Sequence, residues 1–135
     1  MPSSAKLLIV ADHASNYIPK KYNNLGLSKK EIMTHKAYDP GIQDLAVKLS
    51  KKFDSQLVLG KYSRLLIDCN RDINDPTLIS AISDRKLIFG NKNITKHERN
   101  YRINKMYKPY HEKIEKKILE NKINVIISLH SFNPI

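Results

Sequence analysis

The sequence predicts an α/β domain of three layers, with helices on both faces of a mostly parallel sheet. Two short stretches, 6–11 and 124–129, each contain a continuous rather than alternating apolar run, as in strands that are buried on both faces. Between them, segments of helical periodicity alternate with further apolar runs, which is typical of parallel strands joined by crossover helices. A length of 135 residues predicts a single domain with its own core.

The first half of the chain predicts two helices between the first and second strands. Residues 28–31 have the form of a capping box, which opens a short helix that ends near His35. Asp39 suits the N-cap of a second helix over residues 40–52, because proline favours the first helical turn and the apolar residues lie on one face. The apolar residues 56–59 predict the second strand.

The second half predicts a strand, an irregular region and a long helix before the last strand. Residues 64–68 predict a third strand, and residues 86–89 form either a short strand or irregular structure. A second capping box at 95–98 opens a helix that Asn121 closes. Pro109 interrupts the helical pattern and predicts a kink or break.

Composition excludes several classes of protein. No apolar run is long enough to span a bilayer, and the N-terminus lacks the basic and apolar regions of a signal peptide. The single cysteine, Cys69, excludes an internal disulfide framework, so we expect a reducing, cytoplasmic location. The net charge of +11 would suit nucleic acid, but the lysines are spread along the chain without aromatic interleaving, which argues against such a partner.

A histidine follows each of the two terminal strands. If these strands are parallel neighbours, His13 and His130 meet at the carboxyl edge of the sheet, where α/β folds bind ligands. Two converging imidazoles suggest a metal ion, most often zinc. The alternative is that each histidine only bonds a backbone carbonyl. A third ligand would come from the loop of His13, from His35 or from Asp39, and the residues alone leave that choice open.

Cationic side chains flank the predicted third strand. Asn70 and Arg71 follow it, where an arginine can hold a substrate carboxylate through two hydrogen bonds. Arg64 begins the strand, an unusual place for a guanidinium without a partner or a ligand. The alternative for Arg71 is ion pairing with the neighbouring carboxylates of Asp68, Asp72 or Asp75.

Five segments come in the order found in one enzyme family. They are Asp12-His13-Ala14-Ser15-Asn16 with Ile18-Pro19, then His35-Lys36-Ala37-Tyr38-Asp39-Pro40-Gly41, Ser63-Arg64-Leu65-Leu66-Ile67-Asp68-Cys69-Asn70-Arg71, Pro109-Tyr110-His111, and Leu129-His130-Ser131-Phe132-Asn133-Pro134. In this order the chain resembles the N-formylglutamate amidohydrolases.

The resemblance implies a fold, a reaction and a site. The fold would be zinc-exopeptidase-like and phosphorylase/hydrolase-like, and the reaction would convert N-formyl-L-glutamate and water to L-glutamate and formate with one zinc ion. His13 and His130 match the metal histidines, and Asp39 is assigned as the third ligand. The substrate-binding residues would be Arg64, Asn70 and Arg71.

One departure from the family raises alternatives. Family members continue beyond the His130 segment, so the chain corresponds to the N-terminal portion of the family fold, and the general base is expected beyond Ile135. The chain is therefore either a metal-dependent amidohydrolase acting on a small N-acyl acidic amino acid or a non-catalytic, truncated remnant. A homo-oligomer or a complementing polypeptide would be a means of completing the site. A basic nucleic-acid-binding domain is the third hypothesis.

Overall fold

The computed structural model describes residues 5–132. Residues 1–4, on which the signal-peptide prediction partly rests, and Asn133-Pro134 of the His130 segment lie outside that range. The strands are β1 (Leu7–Ala11), β2 (Gln56–Leu59), β3 (Ile82–Ser83), β4 (Lys86–Leu87) and β5 (Val125–Ser128). The α-helices are α1 (Lys29–Ile32), α2 (Ile42–Phe53), α3 (Lys96–Arg102) and α4 (Lys108–Glu120). Short 3₁₀ segments occupy Lys20–Gly26 and Phe89–Asn91.

The main sheet confirms the predicted α/β architecture. Its order is β2-β1-β5, and β1 pairs in parallel with both neighbours. Helix α2 packs on one face, where Ile42 and Ala46 join Ile9 of β1 in an apolar cluster. Helix α4 packs on the other face, where Tyr110 joins Leu8 in a second cluster. The fold is therefore three-layered, with β1 in the middle.

The start of α2 differs from the prediction in a way that matters for the site. Gly41 occupies the N-cap in a left-handed conformation with φ of 81°, which glycine adopts without steric cost. Asp39 lies two residues before Gly41, and its carbonyl accepts a 3.2 Å hydrogen bond from the Ile42 N–H. Because Gly41 takes the cap, the carboxylate of Asp39 remains available for other contacts.

The predicted strand over residues 64–68 is wrong. This segment folds into turns, with a 3.0 Å hydrogen bond from the Leu66 N–H to the carbonyl of Ser63. It is nevertheless buried, since Leu66 is 0% exposed in the largest apolar cluster. Side chains bond its carbonyls, including Asn91 to Leu65 and Arg102 to Leu66. A short apolar run indicates that a segment is buried, but it does not show that the backbone is extended.

The helix starts predicted at Ser28 and Thr95 are confirmed, and the long helix is interrupted. Ser28 forms both bonds of a capping box before α1, which ends at Ile32 rather than near His35, and the Thr95 hydroxyl caps α3. The long helix continues from α3 through a π-helical segment, Ile103–Tyr107, into α4. Pro109 lies in the first turn of α4, so the interruption expected at this proline is a π-helical segment just before it.

Strands β3 and β4 pair antiparallel in a small separate sheet, which settles residues 86–89 as a short strand followed by a 3₁₀ turn.

Closer to the site, Gly60 follows β2 and its N–H bonds the carbonyl of Ala11 at 2.9 Å. A Cβ on Gly60 would lie 2.0 Å from the carbonyl oxygen of Asp12. Only glycine therefore allows β2 to end this close to the loop that carries His13.

Candidate metal centre

The two histidines predicted at strand ends meet at the same edge of the sheet. His13 follows β1 and His130 follows β5, and the parallel register pairs Leu8 with Ile126 in these strands. The imidazole centroids are 5.6 Å apart, with the ring planes at 70°. The meeting of these side chains follows from the parallel pairing, because the carboxyl ends of neighbouring parallel strands share an edge.

Asp39 completes a three-residue cluster with these histidines. One donor atom from each of His13, Asp39 and His130 lies within 4.8 Å of the other two. Asp39 Oδ2 is 3.7 Å from His13 Nδ1 and 3.8 Å from His130 Nδ1. Two imidazoles and one carboxylate form a donor set that zinc binds in hydrolytic enzymes, so these residues fit such an ion. His13 and Asp39 are each 3% exposed.

The backbone holds Asp39 at this position. Its N–H donates a 2.9 Å hydrogen bond to the carbonyl of His13, which ties the start of α2 to the end of β1. Its Oδ2 accepts a 3.1 Å hydrogen bond from the N–H of Ser131, and its Oδ1 lies 3.6 Å from Arg64. Three separate parts of the chain therefore converge on one buried carboxylate.

The outward-facing nitrogens of both imidazoles also have partners. His13 Nε2 lies 2.6 Å from Asp68 Oδ1. His130 Nε2 lies 2.9 Å from Ser128 Oγ and 3.7 Å from Asp12 Oδ2. Because a carboxylate or hydroxyl faces Nε2 in each ring, Nδ1 is the nitrogen left toward Asp39, an arrangement that orients imidazoles for metal binding.

The charge of Asp68 is stabilised where it contacts His13. Burial on its own would raise the pKa of Asp68, but its pKa is lowered overall, with the hydrogen bond and charge of His13 as the main opposing causes. The backbone N–H of Asn70, 2.9 Å away, and the charge of Arg64 act in the same direction. Asp68 is therefore an anion at neutral pH and can hold the Nε2 proton of His13.

His35, the alternative third ligand, is turned elsewhere. Its Nε2 lies 2.7 Å from Asp84 Oδ2, and both side chains are about half exposed, at 44% and 52%. His35 does not belong to the donor cluster of His13, Asp39 and His130. It lies instead in the wall between two cavities.

Those cavities connect the cluster to the predicted cationic residues. A cavity of about 190 Å³ borders the cluster at Asp39 and is lined by His35, Asp39, Arg64, Ser131 and Phe132. A cavity of about 390 Å³ shares His35 and Arg64 with it and extends to Lys36, Asp68 and Arg71. Asn70 does not line either cavity; its backbone N–H bonds Asp68.

The ion-pair alternative for the arginines is partly realised. Arg64 Nη2 lies 3.5 Å from Asp68 Oδ2, and Arg71 Nε lies 3.7 Å from the same oxygen. These separations are long, and the Arg71 side chain is 48% exposed. Most guanidinium donors therefore remain available to an anion in the larger cavity.

Comparison with known proteins identifies the family. A family model described as N-formylglutamate amidohydrolase matches residues 5–135. The chain belongs to the N-formylglutamate amidohydrolase family. The fold also matches the crystal structure of the gene product Atu2144 from Agrobacterium tumefaciens, with a TM-score of 0.93 and 37% sequence identity. The match covers 98% of this chain.

The chain spans about half the length of that relative, since the match covers 54% of the Agrobacterium protein. A search of curated proteins gave no significant match. None of the helices in residues 5–132 has the length and apolar character needed to cross a lipid bilayer.

Sequence reasoning missed the residues that hold the family's candidate ligands in place. Asp68 entered only as an ion-pair partner of Arg71, and Asp12, Ser128 and Tyr110 were assigned no role. The signal for Asp12 was its position beside His13, and the signal for Asp68 was its place at the end of a buried apolar run. Burial, together with the charges of Asp12 and Asp68, raises the pKa of the Cys69 thiol to about 12, so the thiol stays protonated.

Proposed function

We propose that the chain carries the metal-binding and substrate-binding part of a zinc-dependent amidohydrolase that converts N-formyl-L-glutamate to L-glutamate and formate. The observation that carries the proposal is the cluster of His13, Asp39 and His130 next to a cavity lined by Arg64 and Arg71. Membership of the N-formylglutamate amidohydrolase family supports the substrate class.

The metal would be held by His13, Asp39 and His130. When bound there, zinc supplies Lewis acidity, which polarises a carbonyl and lowers the pKa of a bound water to about 7. The residues of the chain do the positioning. Asp68 holds the ring of His13 through Nε2, and the peptide N–H of Ser131 holds Asp39. The small cavity that borders the cluster at Asp39 has room for a formyl group.

The substrate's carboxylates would lie in the larger cavity. Arg64 borders both cavities, so it can contact a carboxylate while the formamide lies over the cluster. Arg71 lines the same cavity and can take the second carboxylate, and Lys36 adds positive charge. Two fixed guanidinium groups would orient the amide bond, which is the usual contribution of such residues to rate.

The general base, expected beyond Ile135, stays a prediction. Of the glutamates on the long helix, Glu98 lies on α3 and accepts hydrogen bonds from Tyr22 and Arg102, at 2.7 and 3.1 Å. Glu112, Glu115 and Glu120 lie on α4. None of these four glutamates lines the small cavity beside Asp39 or the larger cavity that contains Arg71.

The first test is zinc content by elemental analysis of the purified, tag-free chain. We expect about one zinc per chain in the wild type and none in His13→Ala, Asp39→Ala or His130→Ala. Two histidine variants are matched controls: His35→Ala, whose ring pairs with Asp84, and His97→Ala, which lies on the exposed side of α3. Both should keep the metal. A folded wild type without zinc would contradict the proposal, and loss in His35→Ala would change the ligand set.

The second test measures binding of N-formyl-L-glutamate to the zinc-loaded chain by calorimetry. We expect Arg71→Lys to weaken binding about 10-fold, because lysine keeps the positive charge but cannot form the bidentate hydrogen bonds of a guanidinium with a carboxylate. Arg85→Lys is the matched control, since Arg85 is exposed and does not line the cavity. Equal binding by all three proteins would show that the carboxylate lies elsewhere.

A further inference from the structure

Three elements converge on the side of His130 that faces away from the cluster. Asp12 comes from the end of β1, Ser128 from the end of β5 and Tyr110 from α4 on the far face of the sheet. The hydroxyl of Tyr110 donates a short hydrogen bond to Asp12 Oδ1, across 98 positions of sequence. Tyr110 and Asp12 are 7% and 9% exposed.

The second oxygen of Asp12 faces the imidazole. Asp12 Oδ2 lies 3.7 Å from His130 Nε2, and Ser128 Oγ lies 2.9 Å from the same nitrogen. Both groups therefore lie on the Nε2 side of the ring. The opposite nitrogen, Nδ1, points to Asp39 Oδ2 at 3.8 Å. A proton on Nε2 would leave the Nδ1 lone pair available to a metal ion.

Tyr110 decides which way Asp12 can turn. A buried carboxylate needs donors, and without the tyrosine hydroxyl Asp12 would rotate to find others. With one oxygen fixed by Tyr110, the other stays directed toward His130. Burial raises the pKa of Tyr110 above its usual value, as does the charge of Asp12, so the hydroxyl keeps the proton that it donates.

The packing of Tyr110 makes this contact rigid. Its ring lies in the apolar cluster with Leu8, Val10 and Val58, so the hydroxyl is held by the sheet and by α4 together. His13 has a simpler arrangement, because Asp68 contacts it directly at 2.6 Å. The carboxylate that serves His130 is farther away and depends on a tyrosine for its orientation.

We propose that Tyr110 is a positioning residue for the metal centre, acting through Asp12 to fix the ring orientation and tautomer of His130. The Tyr110 hydroxyl holds Asp12, and Asp12 with Ser128 holds the Nε2–H of His130, so that Nδ1 faces His13 and Asp39. This role rests on the proposed function only in taking His130 as a metal ligand. The effect on the tautomer belongs to the metal-free chain.

The test uses Tyr110→Phe with Tyr22→Phe as a matched control. Both changes remove one hydroxyl that donates to a carboxylate, since Tyr22 bonds Glu98 at 2.7 Å, but Tyr22 lies away from the centre. Ring-nitrogen NMR of the metal-free chain reports the tautomer of His130. We expect the Nε2–H form in the wild type and in Tyr22→Phe, and a mixture of tautomers in Tyr110→Phe.

Zinc affinity, measured by competition with a chelating indicator, is the second readout. We expect Tyr110→Phe to weaken zinc binding about 10-fold, within the range of about 10–100-fold typical of residues that orient metal ligands, and Tyr22→Phe to leave it unchanged. Asp12→Asn should weaken it at least as much. Adding Tyr110→Phe to Asp12→Asn should cost little more, because the tyrosine acts through the carboxylate.

The outcomes separate this role from the proposed function. Unchanged tautomer and zinc affinity in Tyr110→Phe would overturn the role of Tyr110, even if the wild type binds zinc tightly. Fully additive losses in the double variant would also overturn it, because Tyr110 would then act by another route. If Tyr110→Phe fails to fold, Asp12→Asn decides by the same NMR readout: an unchanged His130 tautomer overturns the role. If the wild type shows the Nε2–H tautomer, Tyr110→Phe loses it and neither protein binds zinc, the effect of Tyr110 on the His130 ring stands and the metal proposal is overturned.

Discussion

The two strands that carry the histidines, β1 and β5, differ in how completely the described chain surrounds them. β1 is paired on both sides, and four of its five residues are buried. β5 pairs only with β1 among residues 5–132, and all four of its residues are exposed. The histidines follow the same pattern, with side-chain exposures of 4% for His13 and 21% for His130. One side of the candidate centre therefore lies in the core, and the other follows a strand that has a partner on one side only within residues 5–132.

This difference has a consequence for how the centre is held. His13 has a buried carboxylate in direct contact, whereas His130 depends on Ser128 from its own strand and on Asp12 from the neighbouring one. The strength of the His130 side thus depends on β5 staying in register with β1. Changes to the two strands should affect stability, metal binding and association to very different degrees.

The largest expected effect comes from a matched pair of isoleucines. Ile9 of β1 and Ile127 of β5 are register partners, but Ile9 is 0% exposed and Ile127 is 39% exposed. Ile9→Ala should lower the free energy of unfolding by about 2–5 kcal/mol, because it leaves a cavity in the core. Ile127→Ala should cost about 1 kcal/mol or less, since that side chain is already partly in water. Urea unfolding of both variants measures the difference.

Equal losses from the two isoleucines would contradict the comparison. That result would mean that β5 is covered in solution, by a second copy of the chain or by another polypeptide. Repeating the unfolding at several protein concentrations distinguishes these cases, because coverage by a second copy makes stability depend on concentration.

An intermediate effect is expected from the carboxylate that contacts His13. Asp68→Asn should weaken zinc binding by about 10–100-fold, because an amide cannot stabilise the Nε2 proton of His13 as an anion does. The same asparagine at position 12 should weaken it less, since Asp12 Oδ2 lies 3.7 Å from His130 and Asp68 Oδ1 lies 2.6 Å from His13. Competition titrations of both variants, each with its unfolding midpoint, separate metal binding from stability. A larger loss at position 12 would reverse the comparison.

The lowered pKa of Asp68 adds a pH dependence to this pair of variants. A carboxyl whose folded pKa lies below its unfolded value stabilises the native state above the unfolded value, 3.8 for Asp68, and loses that contribution as pH falls through the folded pKa. The wild type should therefore be more stable than Asp68→Asn at neutral pH. Its advantage should shrink below about pH 4. A constant difference across that range would show that Asp68 is not stabilised as an anion.

The sequence predicted the parts of the site that depend on strand order. Continuous apolar runs predicted buried parallel strands, and the geometry of such strands brings His13 and His130 to one edge. Asp39 was chosen over His35 only through the family resemblance. The residues alone could not make this choice, because two features that place Asp39 at the cluster leave no mark on the periodicity. They are the left-handed conformation of Gly41 and the hydrogen bond from the Asp39 N–H to the carbonyl of His13.

The remaining parts depend on contacts between distant residues. Residues 64–68 have the composition of a strand, but bonds from Asn91 and Arg102 satisfy their carbonyls and allow turns to be buried. The contact of Tyr110 with Asp12 requires the packing of α4 on the sheet, which no local pattern specifies. Local patterns thus predicted the strands β1 and β5 and the ends at which the candidate ligands lie, while tertiary packing decided which side chains contact these candidates.

The last prediction concerns the edge of β5 that has no partner strand within residues 5–132. A change at this edge should alter stability least but should clearly alter association between copies of the chain. An exposed apolar strand edge is a template for pairing with another chain. Ile126 is 50% exposed, so Ile126→Lys should change unfolding by no more than about 1 kcal/mol while weakening self-association about 10-fold. Leu119→Lys is the matched control, because Leu119 is 78% exposed on α4 and its replacement adds the same charge away from the edge.

Sedimentation velocity at two salt concentrations measures this self-association. The net charge of +11 opposes association, so added salt should strengthen it in the wild type. A wild type that stays monomeric at every concentration and salt would show that the edge of β5 does not drive pairing between copies.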